Sequence, residues 1–219
     1  MGNFTALGIR FSLYLLLGIA VGMIVREYAR AFVASKLGDP TPRLWGRLTF
    51  RPSTWFDPFG SGLLPILVAV LWAAGQHPPP FAYAKPAPID PNYFKRRTRD
   101  TVLCSVAGPM ANVAVALIAG VPIRAGIGDE TTLFFAAIML ANLSLAVFHL
   151  LPVPGLDGAR LVGLLLPPPA ARAYRNFDQY LPLSILVLMF IVSGPINSIV
   201  YSFVDALCRV SAGISCVGS

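Results

Sequence analysis

The sequence predicts an all-α protein that crosses a membrane several times, and three observations predict it. Of 219 residues 56% are hydrophobic and only 12% charged, against roughly 25% charged in a soluble domain. The apolar residues gather in stretches, several of which approach the ~20 residues that cover a bilayer. The basic residues are segregated: of 17 Lys and Arg, 11 lie between Arg26 and Arg99, three more (Arg160, Arg172, Arg175) follow the fourth stretch, and Arg10, Arg124 and Arg209 remain. Cytoplasmic loops of membrane proteins carry this bias, so the net charge of +7 needs no nucleic acid partner. One membrane domain, 1–219, is expected. No basic segment followed by a small-residue cleavage site opens the chain, so a cleaved leader is not expected.

The apolar stretches cover residues 7–25, 62–75, 101–123, 131–153 and 181–207. The stretches at 7–25, 101–123, 131–153 and 181–207 read as about four full transmembrane helices, the last of them C-terminal. The stretch at 62–75 contains Pro65 and is closed by Gly75 and three prolines at 78–80. It is too short for a simple crossing and reads as re-entrant or membrane-buried. Between them, residues 41–54 alternate basic and apolar side chains, the pattern of a half-buried strand. This predicts a small cytoplasmic-side β element, with Arg43, Arg47 and Arg51 on one side, facing anionic lipids or an acidic partner.

The chemistry sits at the end of the first stretch. Residues 26–30 read Arg-Glu-Tyr-Ala-Arg, where a zinc peptidase helix reads H-E-x-x-H. In that motif two imidazoles at i and i+4 grip one metal and the glutamate activates its water. Arg26 and Arg30 keep the spacing, but a guanidinium is permanently protonated and has no lone pair to offer. Further along come Phe56-Asp57-Pro58-Phe59-Gly60, Ala84-Lys85-Pro86-Ala87-Pro88, Ala107-Gly108-Pro109 with Asn112, and Leu151-Pro152-Val153-Pro154-Gly155-Leu156-Asp157-Gly158.

Taken in order, these motifs resemble the site-2 protease family of intramembrane zinc metalloproteases (peptidase M50) in its short bacterial branch, over a core of about 21–160. The resemblance implies that positions 26 and 30 would be the two histidine ligands, Glu27 the general base and Asp157 the third ligand, with Asn112 in the patch beside the active site. It also implies a bacterial cytoplasmic membrane and a groove that holds a transmembrane helix. Arginine at both ligand positions is one departure. Trp55 and His149 are two more, where the family usually has histidine and asparagine.

From these departures the expectation is a catalytically inactive homologue, a pseudoprotease without zinc, that binds or scaffolds a transmembrane partner, in a larger membrane complex or as a homo-oligomer. Asn112, Gly108, Pro109, His149, Arg43, Arg47 and Arg51 are the expected binding residues, and lipids are expected partners. Two alternatives stay open: an active metalloprotease with an unusual or partner-completed metal site, and a small-solute or lipid-binding protein. A residual metal site through Glu27, His149 and Asp157 is the one metal reading; a hydrogen-bonded interhelical His149 is the plainer one.

Burying Glu27 and Asp157 in apolar surroundings is costly without compensation. An ion-pair clamp is therefore expected, with Arg30 bridging to Asp157 in a forked contact and Arg26 free to snorkel toward the headgroups. The alternative is that both arginines mark the cytoplasmic end of a helix. If Arg30 and Asp157 meet, the first and fourth stretches end on one side. The 124–130 loop and the N- and C-termini are then external, and 14 basic residues are cytoplasmic. Cys208 and Cys216 would lie outside, spaced to close a disulfide, whereas Cys104 reads as a small packing residue.

Overall fold

The computed structural model describes residues 6–180 and 193–213. Three long helices form its core: α1 (Ala6–Lys36), α5 (Arg97–Arg124) and α6 (Asp129–His149) pack pairwise on one another. All three are long and apolar enough to cross a membrane. At 1.5 Å per residue, the 31 residues of α1 reach about 46 Å, well beyond the ~30 Å hydrocarbon layer.

Helices α1 and α6 run parallel. Near their starts Arg10 Nη1 and Tyr14 Oη both donate to Glu130, at 3.2 and 2.6 Å. Farther along, glycines allow close approach: a Cβ on Gly18 would come within 2.9 Å of the Ile138 Cα, and one on Gly22 within 2.7 Å of the Asn142 Oδ1. Helix α5 lies antiparallel to both, beginning where they end. The helix α9 (Ser193–Ala212) packs on the far half of α5 and on α6, where a Cβ on Gly120 would meet the Ser211 carbonyl oxygen at 2.9 Å.

No strand forms at 41–54. Two one-turn helices, α2 (Thr41–Leu44) and α3 (Pro52–Trp55), stand there instead. Proline near the start of each turn favours helical entry, and Gly46 turns the chain with φ 63°. Buried Asp39 accepts from the Thr41 amide at 2.9 Å and, through its other oxygen, from the Asp90 amide at 2.9 Å. Arg47 points inward: its guanidinium lies 5.1 Å from the centre of the Trp55 ring and donates to the Thr54 carbonyl. Of the three arginines expected on one face, only Arg43 and Arg51 are exposed. The alternation that suggested a strand comes from a turn closed by a cation over an aromatic ring.

The short apolar segment is a π-helical turn, Pro58–Leu63, leading into α4 (Leu64–Ala73). Asp57 caps it, accepting from the Phe59 and Gly60 amides at 3.1 and 2.6 Å. α4 runs back along α1 until Trp72 stacks on Phe11, with ring centres 5.2 Å apart. The chain then returns without regular structure, stacking Phe81 on Phe148 and reaching Glu27 through the Ala87 amide. Residues 58–87 thus leave one end of the core and come back to it.

After α6, the Leu-Pro-Val-Pro-Gly turn leads into α7 (Asp157–Leu165) and α8 (Pro168–Asn176). The expected C-terminal span 181–207 falls partly outside the described residues, at 181–192, and Cys216, the expected partner of Cys208, lies outside them as well.

Gly158 sits against the preceding turn: a Cβ there would lie 2.1 Å from the Leu150 carbonyl oxygen and 2.4 Å from that of Leu151. Gly163, on the same helix, has open space. Gly158→Ala is expected to lower the thermal midpoint sharply, by about 2 kcal/mol or more of overpacking strain, and Gly163→Ala to leave it within error. Melting both variants in detergent checks the contrast.

Candidate active site

At the end of α1, Arg26, Glu27 and Arg30 occupy one face, and the start of α7 brings Asp157 to them. All four are buried, at 4, 1, 2 and 1% exposure. Such burial decides the electrostatics, because ionised groups with so little water need partners of opposite charge. Arg26 extends one Nη to Glu27 Oε1 and the other to Asp157 Oδ2, the latter at 2.5 Å. Arg30 Nη1 donates to both Glu27 oxygens at 3.1 Å, and its Nε lies 3.2 Å from Asp157 Oδ1. Arg26 is therefore no snorkelling residue. Both arginines bridge both carboxylates, and Arg26 makes the shorter contact to Asp157.

The fold supplies the room for this. Gly108 of α5 faces the two arginine stems: a Cβ there would come within 2.8 Å of Arg26 Cγ and 3.1 Å of Arg30 Cδ. The re-entrant chain adds one donor, the Ala87 amide, 2.9 Å from Glu27 Oε2. Pro86 and Pro88 flank it and favour an extended backbone. That amide is a site group that side-chain reasoning passes over, although the Pro-Ala-Pro run is its signal.

Several buried polar groups have no hydrogen-bond partner among the described residues. Asn112 is fully buried on α5 with both amide atoms unpaired, and Ser105 Oγ on the same helix is unpaired too. Pro109 is buried between them and withholds from the Ser105 carbonyl its usual intrahelical donor. His149, 1% exposed at the end of α6, sets Nδ1 2.8 Å from the Leu145 carbonyl. A carbonyl only accepts, so Nδ1 carries the proton and Nε2 is left as a lone pair without a partner. Arg43 and Arg51 lie on the α2–α3 surface, and Arg47 is closed into its turn; none of the three belongs to this cluster.

Arg160, one turn past Asp157, is a neighbour that positive-inside counting absorbs without assigning it a place. Repulsion from Arg30, with partial burial, holds it below the usual arginine range, at about 10, against the attraction of Asp157 and Glu27. Burial alone would raise the Asp157 carboxyl, but the Arg26 and Arg30 guanidiniums outweigh it and hold the group at about 2.

A cavity of about 30 Å³ opens beside the cluster, walled by Arg26, Glu27, Arg30, Tyr83, His149 and Leu156 among others. Chemically the arrangement is a fully paired set of two cations and two anions, next to a small space that also meets an imidazole lone pair.

Asp157→Ala is expected to cost about 3–5 kcal/mol, since it leaves guanidinium charge buried without its carboxylate. A carboxyl held below its ordinary value of about 3.9 contributes stability that is complete above about pH 4. That contribution is lost as the pH falls toward the folded value of about 2. Melting curves between pH 2 and 5 should therefore be flatter for Asp157→Asn than for the wild type.

No protein-family model matches the chain, and no solved structure does. The chain is similar to "Putative zinc metalloprotease YwhC" of Bacillus subtilis, 33% identical over 85% of this chain and 83% of that one. It is also similar to "Putative zinc metalloprotease Rip2" of Mycobacterium tuberculosis, 31% identical over 92% of this chain and 76% of that one. A third relative is Rip2 of Mycolicibacterium smegmatis, 28% identical over 86% and 71%. These names correct two expectations drawn from the sequence. They point to a peptidase rather than a protein without enzymatic activity, and to zinc rather than to no cofactor.

The residues at the cluster do not fit zinc by the usual ligand set. Arg26 and Arg30 have no lone pairs and are already committed to Glu27 and Asp157, and among the described residues no three His, Cys, Asp or Glu side chains converge on a metal position. That disagreement rests on two side chains, whereas the similarity extends over 85% of the chain. A membrane protein 33% identical to such a relative over 85% of its length, this chain belongs to the site-2 protease family.

Proposed function

We propose that this chain is an intramembrane peptidase-family protein that receives a transmembrane segment of a protein substrate beside the Arg26–Glu27–Arg30–Asp157 cluster. The relatives' names point to hydrolysis of peptide bonds as the associated activity. The observation that carries the reading is Asn112: fully buried between apolar helices, with both amide atoms unpaired. Buried polar groups are rarely left so. An unwound peptide backbone offers the acceptor and donor that a primary amide requires, and Ser105 of the same helix and His149 of α6 carry further unpaired atoms.

Arg26 and Arg30 stand in this reading as charge partners of Glu27, while the Ala87 amide fixes one of its oxygens. No hydrolytic step is assigned to a metal. The orientation we propose sets the cluster toward the cytoplasmic side with the N-terminus external, supported by the 14 basic residues that follow the parity of the helices. The exposed Arg43 and Arg51, beside exposed Leu44 and Trp45, then meet anionic lipid headgroups.

The test uses the purified chain in nanodiscs with fluorescent single-span reporter proteins, with and without added zinc. The wild type is expected to bind a reporter and release a cleaved fragment; Asn112→Leu is expected to weaken reporter binding about tenfold, the loss of one hydrogen-bonded contact. Absence of both reporter binding and cleavage would overturn the proposal.

A further inference from the structure

The four charges at the cluster sum to zero, but their hydrogen bonds are incomplete. Arg26 and Arg30 are paired with Glu27 and Asp157, yet Arg26 Nε and Arg30 Nη2 are buried without a hydrogen-bond partner among the described residues. His149 Nε2 is a third such atom, on the ring edge away from the Nδ1 that faces the Leu145 carbonyl. All three residues wall the cavity of about 30 Å³, together with Glu27. Buried polar atoms are rarely left so, and here two donors and one acceptor belong to the walls of the same small space.

The wall decides what can enter. An anion would meet Glu27 and a cation would meet two guanidinium groups, so with the charges already balanced the occupant is neutral. It has to donate to an imidazole lone pair and accept from guanidinium N–H groups, which no apolar group can do. Water does both. A single water needs about 10–15 Å³ by this measure and about two to four polar partners, so the space takes about two.

We propose that in the substrate-free chain this cavity binds two water molecules: one donates to His149 Nε2, and the pair accepts from Arg26 Nε and Arg30 Nη2. The waters join His149 of α6 to the arginines of α1, although no hydrogen bond links these side chains directly among the described residues. They also bring water alongside Glu27 in a chain whose three longest helices are apolar enough to cross a membrane. The site follows from the chemistry of the wall and does not depend on whether the chain cleaves its substrates.

The experiment labels the histidines of the full chain with 15N and follows magnetisation transfer from water by solid-state NMR in nanodiscs. The chain has two histidines, and His77→Gln, at an exposed position, leaves His149 as the single labelled residue. The expected result is a ring protonated on Nδ1 whose Nε2 accepts a hydrogen bond from water. Crystals of the wild type that diffract well enough to show water should hold two peaks in the cavity, one about 2.7–3.2 Å from His149 Nε2. His149→Gln, which keeps an acceptor at the ε position, should keep that peak, and His149→Leu should lose it. The NMR readout leaves the His149 side chain intact, so it stands even if both His149 variants fail to fold. A proton found on Nε2, an imidazole that receives no transfer from water, or an ion in the cavity in place of the waters would each overturn the proposal.

Discussion

Two carboxylates buried at the junction of apolar helices set the terms for the rest of this molecule. A buried carboxylate is costly without a partner of opposite charge, and Glu27 and Asp157 are both buried where α7 meets α1. The two arginines resolve this in place. Each guanidinium spans from the helix that carries it to the turn that opens α7, so the charge pairing is also the tertiary link between the two ends of the family's core. Gly108 on α5 and the Ala87 amide are best understood as accommodations to that pairing: one makes space for the stems, the other supplies the last donor.

The substitution is conservative in charge even though it is radical in chemistry. A divalent metal with neutral imidazoles and two carboxylates sums to zero, and two guanidiniums with the same two carboxylates also sum to zero. The cost of burying the acidic residues is therefore met without rearranging helices, which explains why the surrounding motifs are retained around two such different side chains. It also clarifies why the names of the relatives and the local ligand chemistry diverge: similarity over the whole chain reports the fold and its family, while residues 26 and 30 report what this chain does at one point within it.

Much of the fold was legible because it rests on patterns with a single physical reading. Long apolar stretches became α1, α5 and α6, and the proline-closed stretch at 62–75 became a short helix with an irregular return. The strand expected at 41–54 failed because alternation of charge and apolarity is shared by turns, and the decisive force was Arg47 folding over Trp55. Within the site, the convergence of Arg26, Arg30, Glu27 and Asp157 followed from motif order. The division of labour did not: Arg26 was read as free to reach the headgroups, since helical spacing favours an Arg30–Glu27 neighbour and says nothing of how α7 approaches. Arg160 and the Ala87 amide were hidden for a related reason, one counted only as a basic residue and the other carrying no side-chain signature.

Gly158 gives the site an asymmetry. Its backbone lies against the carbonyl oxygens of Leu150 and Leu151, so the position of the neighbouring Asp157 is dictated by peptide geometry that no side-chain exchange can relax. On α1, by contrast, the groups facing that aspartate are long, flexible side chains whose tips alone must reach it. Over evolutionary time such a site can vary freely on one wall only. The aspartate acts as a fixed post, and α1 becomes the surface on which a lineage can exchange one kind of positive charge for another while the scaffold stays unchanged.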